Sequence, residues 1–177
     1  MEKLASFQAL GLSSNILSSL QHKGFEEPTP IQEKVIPLLM CGDKDLIGQA
    51  QTGTGKTAAF GLPIIEKIKV NKLTVQALIL TPTRELTIQV AEEIHSLSGK
   101  KGLKIIPLYG GQSIELQLKH LKKGVHLVVG TPGRILDHLR RKTLKLKHLD
   151  FCVLDEADEM LNMGFIDEVE TILEYTN

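Results

Sequence analysis

The stretch Ala50-Gln-Thr-Gly-Thr-Gly-Lys-Thr57 limits what this chain can fold into more than any other part of it. The apolar run Asp45-Leu-Ile-Gly-Gln49 precedes it and predicts a buried strand. Ala58-Ala-Phe-Gly-Leu-Pro-Ile-Ile-Glu-Lys-Ile68 follows it and predicts a helix, with Pro63 expected to kink or split that helix. A strand, a glycine-rich turn and a helix opening on Gly-Lys-Thr make a loop built for phosphate. Gly53 and Gly55 let the backbone curl so that successive N–H groups converge on one anion, and the helix N-terminus behind them adds unpaired N–H groups and a positive dipole end. Lys56 can reach the outer phosphates and Thr57 can ligate Mg²⁺. Ala50 holds the place usually taken by the first glycine, while Gln51, Thr52 and Thr54 complete the loop. The implied ligand is a nucleoside triphosphate.

The rest of the chain alternates strand and helix. Leu12–Gly24 predicts a helix capped by Ser13, with Ile16, Leu17 and Leu20 inward and Gly24 as its stop. A turn-rich connector then leads to a second helix from about Ile31 to Met40, closed by Cys41-Gly-Asp-Lys44. Val75–Leu80, Leu103–Leu108, Val125–Val129 and Phe151–Leu154 read as strands. Each is followed by a distinctive turn: Thr81-Pro82, Gly110-Gly111, Gly130-Thr-Pro-Gly-Arg134 and Asp155-Glu-Ala-Asp158. Near-continuous apolar strands separated by helices predict a mostly parallel sheet covered on both faces, with ligands at the carboxyl ends of the strands.

A length of 177 residues suits one domain. No apolar run approaches a membrane span, and the N-terminal residues do not form a secretory signal. Cys41 and Cys152 are far apart and lack metal-ligand neighbours, which points to free thiols and a cytoplasmic protein. The formal net charge is zero, yet it is unevenly spread: Lys119–Leu149 holds nine Lys or Arg and one acid, and Asp150–Asn177 holds nine acids and no Lys or Arg. Such a division fits two solvated faces or a polarised binding surface equally well.

Asp155-Glu156 supplies the second element of nucleotide chemistry. A strand-terminal Asp opposite a phosphate loop holds hydrated Mg²⁺, directly or through water, and Glu156 is placed to orient or deprotonate the attacking water. Taken alone, the pair also fits the acidic first turn of a helix. The reading requires Lys56-Thr57 and Asp155–Asp158 to meet across neighbouring strand tips.

These motifs together resemble the first RecA-like domain of a DEAD-box ATP-dependent RNA helicase over essentially the whole chain. The resemblance rests on Gly24-Phe-Glu-Glu-Pro-Thr-Pro-Ile-Gln32, Ala50–Thr57, Pro82-Thr-Arg-Glu-Leu86, Gly110-Gly111, Thr131-Pro-Gly-Arg134 and Asp155–Asp158, in family order. Asp158-Glu-Met-Leu-Asn-Met-Gly-Phe165 further resembles bacterial members involved in cold shock and ribosome assembly. The implied fold is a three-layer α/β RecA-like P-loop NTPase domain with a mostly parallel central sheet. Residues 1–33 would form an adenine-recognition segment, and residues 34–177 the ATP-binding helicase domain, ending before a Ser-Ala-Thr motif.

The resemblance implies that Gln32 reads the adenine edge, that Phe25 packs on the ring and that Phe7 supports the segment. Without it, Phe25 and Gln32 read as a packed aromatic and a helix-start polar residue. It also implies RNA-backbone contacts from Pro82, Thr83, Arg84, Gly110, Gly111, Thr131, Pro132, Gly133 and Arg134, sequence-independent and salt-sensitive. Asp158 would couple the nucleotide site to domain motion. A second RecA-like domain would supply the arginines for the γ-phosphate, so the chain alone is expected to bind ATP with Mg²⁺, hydrolyse it feebly and unwind nothing. The competing reading is a free-standing, nucleotide-gated RNA-binding module without unwinding activity. A P-loop kinase or transporter ATPase fits the Thr-Pro-Gly-Arg turn poorly.

Overall fold

The computed structural model describes residues 5–42 and 44–176. The residues before Ala5, and Asp43 within the expected stop of the second helix, lie outside the described residues. Two compact units divide the chain: residues 1–69 with 93–102, and residues 70–92 with 103–177.

The first unit is helical. It holds α1 (Ala5–Ala9), α2 (Ser14–His22), α3 (Pro30–Cys41), α4 (Lys56–Lys67) and the last turn of α5 (Arg84–Leu97). Ile16 and Leu20 of α2 are fully buried, as the spacing predicts, and the chain leaves the helix at Gly24 with φ +77°. Ser13 stands at the N-cap of α2 without a side-chain bond; its N–H instead donates to Glu66 Oε1 at 2.6 Å. α3 packs along α4. Gly61 lets α4 approach Ile94 of α5, because a Cβ there would stand 2.9 Å from Ile94 Cδ1. Lys101 Nζ closes the C-terminus of α4, donating to the carbonyls of Ile65 and of Glu66, the latter at 2.6 Å.

Two expectations fail in this unit. α4 runs unbroken through Pro63, which is buried between the buried Leu62 and Ile64. Proline costs one bond of the helical ladder, and the apolar packing on both sides of it outweighs that loss. The predicted strand over residues 45–49 does not form: the segment has no regular structure, is exposed, and leaves Ile47 99% accessible. A strand is defined by its ladder, and the sheet among the described residues gives this segment no partner.

The second unit contains the sheet. Strands β1 (Ala77–Leu80), β2 (Ile105–Leu108), β3 (Leu127–Gly130) and β4 (Phe151–Leu154) lie in the order β2-β3-β1-β4, and every pairing is parallel. The central strands β1 and β3 are buried on both faces, whereas β2 and β4 alternate because they are edges. Around them run the start of α5, α6 (Ile114–Lys122), α7 (Pro132–Arg140), α8 (Ala157–Asn162) and α9 (Ile166–Glu174). Leu78, Leu80, Ile106, Leu108 and Val128 share one core with Ile135 and Leu139 of α7, Met160 of α8 and Ile172 of α9. His126 ties the strand starts together: its Nδ1 accepts the Lys104 N–H at 3.0 Å and its Nε2 donates to the Val70 carbonyl at 3.1 Å.

No helix among the described residues is long and apolar enough to cross a membrane.

Candidate functional site

In the first unit, the loop before α4 turns through two left-handed glycines, Gly53 at φ +82° and Gly55 at φ +84°, with Gly55 as the N-cap of α4. Thr54 Oγ1 donates to the Gln51 carbonyl at 2.6 Å and tightens the turn. A Cβ on Gly53 would meet nothing within 4 Å, so that side of the loop is open, whereas a Cβ on Gly55 would collide with the Gln32 amide. Gln51, Thr52 and Gly53 are exposed, and Ala50, Lys56 and Thr57 are half-buried. An open curl of backbone N–H groups at the start of a twelve-residue helix fits the phosphates of a nucleotide.

Gln32, only 1% exposed, stands behind this loop. Its Oε1 accepts the Thr29 N–H at 3.0 Å and its Nε2 donates to the Gly55 carbonyl at 3.2 Å. Those partners fix the amide orientation, since a flip would set donor against donor and acceptor against acceptor. The second Nε2 hydrogen and the second Oε1 lone pair are not used by these bonds, and such a donor–acceptor pair is what the N7/N6 edge of adenine demands. Phe25 is half-buried and meets the fully buried Phe7 edge-to-face, with centroids 6.2 Å apart.

In the second unit, the parallel register aligns the strand ends Leu108, Gly130, Leu80 and Leu154 in one row. Three of the following residues extend the ladder by one bond each: Thr131 N–H donates to Leu108 O at 3.0 Å, Thr81 N–H to Gly130 O at 3.0 Å, and Asp155 N–H to Leu80 O at 2.9 Å. Glycine is required at position 130, where a Cβ would stand 2.9 Å from the Leu108 carbonyl and collide with Ile135. The turns of Pro82–Arg84, Gly110-Gly111, Thr131–Arg134 and Asp155–Asp158 therefore emerge side by side at the carboxyl edge of the sheet.

Asp155 is 8% exposed. Glu156 caps α8 in the left-handed region, at φ +53°, a strained conformation for a residue with a Cβ and one met disproportionately at functional sites. Asp158 lies exposed in the first turn of α8. No cluster of three or more His, Cys, Asp or Glu that could hold a metal ion forms among the described residues.

A groove of about 490 Å³ joins Pro82, Arg84, Gly110, Thr131, Gly133 and Arg134, and Asp137 and Phe165 line it as well. Arg84 lies over the Tyr109 ring at 4.9 Å. Thr83 Oγ1 accepts the Leu86 N–H at 3.2 Å and caps the start of α5. Pro132 is the first residue of α7 and is buried. Arg134 Nη1 donates to the Gln112 carbonyl at 3.1 Å and to Gln117 Oε1 at 2.9 Å. Gln117, His138 and Tyr109 belong to none of the sequence motifs. The only sequence signal for Gln117 is a polar residue three after Ile114 and four before Leu121, on the inward stripe of α6.

Comparison with known proteins gives a consistent picture. The family model for DEAD/DEAH box helicases matches residues 29–177. The DEAD-box ATP-dependent RNA helicase CshA of Geobacillus kaustophilus is 57% identical over 97% of this chain and 37% of its own length. The ATP-dependent RNA helicase CshA of Listeria monocytogenes is 61% identical over 96% of this chain and 32% of its own length. The chain thus spans about a third of these curated relatives. A crystallised DEAD box protein from the hyperthermophile Methanococcus jannaschii superposes with a TM-score of 0.94 at 56% identity, over 97% of this chain and 47% of that one. The expected RecA-like α/β architecture with a parallel central sheet stands.

Proposed function

Because the chain belongs to the DEAD/DEAH box helicase family, we propose that it is the ATP-binding half of an ATP-dependent RNA helicase that couples ATP binding and hydrolysis to clamping and remodelling short RNA duplexes. The observation that carries this reading is the meeting of three donor-bearing turns and two arginines, Arg84 and Arg134, on one groove at the carboxyl edge of the sheet. Hydroxyls, turn N–H groups and guanidinium forks suit phosphodiester oxygens and carry no base identity. RNA should therefore bind without sequence preference and more weakly as salt rises.

The nucleotide roles are assigned residue by residue. When bound, ATP with Mg²⁺ supplies the γ-phosphoryl group that water attacks. Ala50–Thr57 would wrap the phosphates, with Lys56 setting its ammonium against the outer ones and Thr57 and Asp155 holding the metal, Asp155 directly or through water. Glu156 would orient the attacking water and take its proton on the carboxylate. Gln32 would select adenine with Phe25 against the ring, and Asp158 would pass the state of the nucleotide site to the domain pair. The arginines that stabilise γ-phosphoryl charge would come from a second RecA-like domain, so the 177-residue chain alone should bind ATP yet turn it over slowly. Two free cysteines fit a reducing, cytoplasmic setting.

The test is a titration of the chain with a fluorescent ATP analogue and Mg²⁺, followed by a phosphate-release assay with and without single-stranded RNA. Saturable, ATP-competable binding with slow turnover is the expected result. Absence of nucleotide binding would overturn the assignment, and brisk RNA-stimulated turnover would overturn the dependence on a second domain.

A further inference from the structure

Beneath the groove lies a polar network that none of the proposed roles uses. Gln117 of α6 is 2% exposed and His138 of α7 is fully buried. Gln117 Nε2 donates to the Tyr109 carbonyl at 3.0 Å and to Gln112 Oε1 at 2.9 Å. Gln117 Oε1 takes two contacts, Arg134 Nη1 at 2.9 Å and His138 Nε2 at 2.8 Å. The directions of the bonds at Gln117 are forced. The Tyr109 carbonyl can only accept and the Arg134 guanidinium can only donate, so the Gln117 amide has one permitted orientation. Its oxygen must then receive a hydrogen from His138 Nε2, which leaves Nδ1 of the neutral ring as an acceptor. Nδ1 lies 2.9 Å from the Thr143 hydroxyl, whose single hydrogen has two acceptors within reach, Nδ1 and the His138 carbonyl at 3.0 Å. Burial and the nearby Arg134 charge both lower the affinity of His138 for a second proton.

The network links two of the turns bordering the groove. Through the Tyr109 carbonyl and Gln112 it holds both sides of the Gly110-Gly111 turn, and through Nη1 it holds the Arg134 guanidinium. Nη1 has two hydrogens, directed to Gln112 O and Gln117 Oε1. The Nε and Nη2 side of the fork is not engaged by these two bonds. A long side chain that must meet a phosphate otherwise spends rotamer entropy on being ordered, and a buried amide that fixes it beforehand removes that cost.

We propose that Gln117 and His138 are positioning residues for RNA: they hold Arg134 against the Gly110-Gly111 turn so that both present donors to one phosphodiester segment as a single rigid surface. This rests on the reading of Arg134 as an RNA-backbone contact, and the experiment separates the two ideas.

Fluorescence anisotropy of a labelled oligouridylate, titrated with the 177-residue chain across a series of low salt concentrations, supplies the readout. R134A should weaken binding and reduce the salt slope by about 0.7, the contribution of one single-strand phosphate contact. H138L should weaken binding about three- to tenfold, the worth of one lost hydrogen bond, with affinity for a fluorescent ATP analogue unchanged. H138Q, whose amide nitrogen can occupy the position of Nε2, should return RNA affinity to within about twofold of the wild type, as expected when the bond is restored. Rescue by H138Q while its thermal stability stays below that of the wild type would distinguish positioning from general stabilisation. If H138L fails to fold, the near-isosteric Q117M takes its place, with the same loss expected. Wild-type RNA affinity in a folded H138L or Q117M, alongside weakened R134A, overturns the positioning role. Wild-type affinity in R134A, or no RNA binding by the unmutated chain, overturns the RNA reading of the groove and the inference with it.

Discussion

Gln32 Nε2 donates to the carbonyl of Gly55 at 3.2 Å, joining the start of α3 to the N-cap of the phosphate-loop helix. The residue proposed to read the base is therefore bonded to the loop proposed to hold the phosphates, and base choice and loop shape share one side chain. Q32A should blur the preference for ATP over GTP. It should also cost about 1 kcal/mol of stability, because the Thr29 N–H loses its acceptor. Competition of ATP and GTP against a fluorescent analogue measures the first effect and thermal unfolding the second. A preserved preference would remove Gln32 from base reading.

Lys56 opens α4 from a solvent-facing loop, half-buried and outside the apolar core. K56A should weaken ATP about 10- to 100-fold, the scale of a charge-assisted hydrogen bond, while the unfolding midpoint stays nearly fixed. Undiminished ATP affinity in that variant would count against the phosphate loop.

Glu156 sits at φ +53°, where glycine is at ease and glutamate is strained. E156G should raise stability by up to about 1 kcal/mol by removing that strain. E156Q, tested in a protein that carries the second domain, should leave ATP affinity intact and cut turnover by about 10²- to 10⁴-fold, the usual contribution of a general base. Phosphate release and thermal unfolding on both variants separate the strain from the chemistry, and normal turnover in E156Q would assign the proton to another group.

His126 is buried with Nδ1 accepting from the Lys104 N–H, and desolvation holds its proton affinity below the ordinary histidine range. The unfolded chain then takes up its proton first as pH falls. Stability from this residue is complete above the unfolded pKa of about 6.5 and declines as pH drops from there toward the lower folded value. Unfolding midpoints measured from pH 7.5 to 5.0 should fall with acid, and less steeply in H126Q. Equal slopes in the two proteins would exclude His126 as the source.

The sequence by itself determined the parts whose causes are local. Apolar runs located β1 to β4, the local pattern of apolar residues and stops located α2, α3 and α4, and the turn residues after each strand marked the carboxyl edge. Parallel pairing followed from alternation, since strands joined through helices have little other choice. Only the tertiary structure decided matters that depend on distant partners. Asp45–Gln49 has the composition of a strand but no ladder among the described residues, and Pro63 is carried inside α4 by the packing of its neighbours. The bonds among Gln117, Arg134 and His138 span up to 21 positions, and nothing in the spacing of polar residues reveals that three of them will point at one another. Hydrophobic periodicity reports which face of an element is inward; the partners found on that face are set by how the elements are stacked.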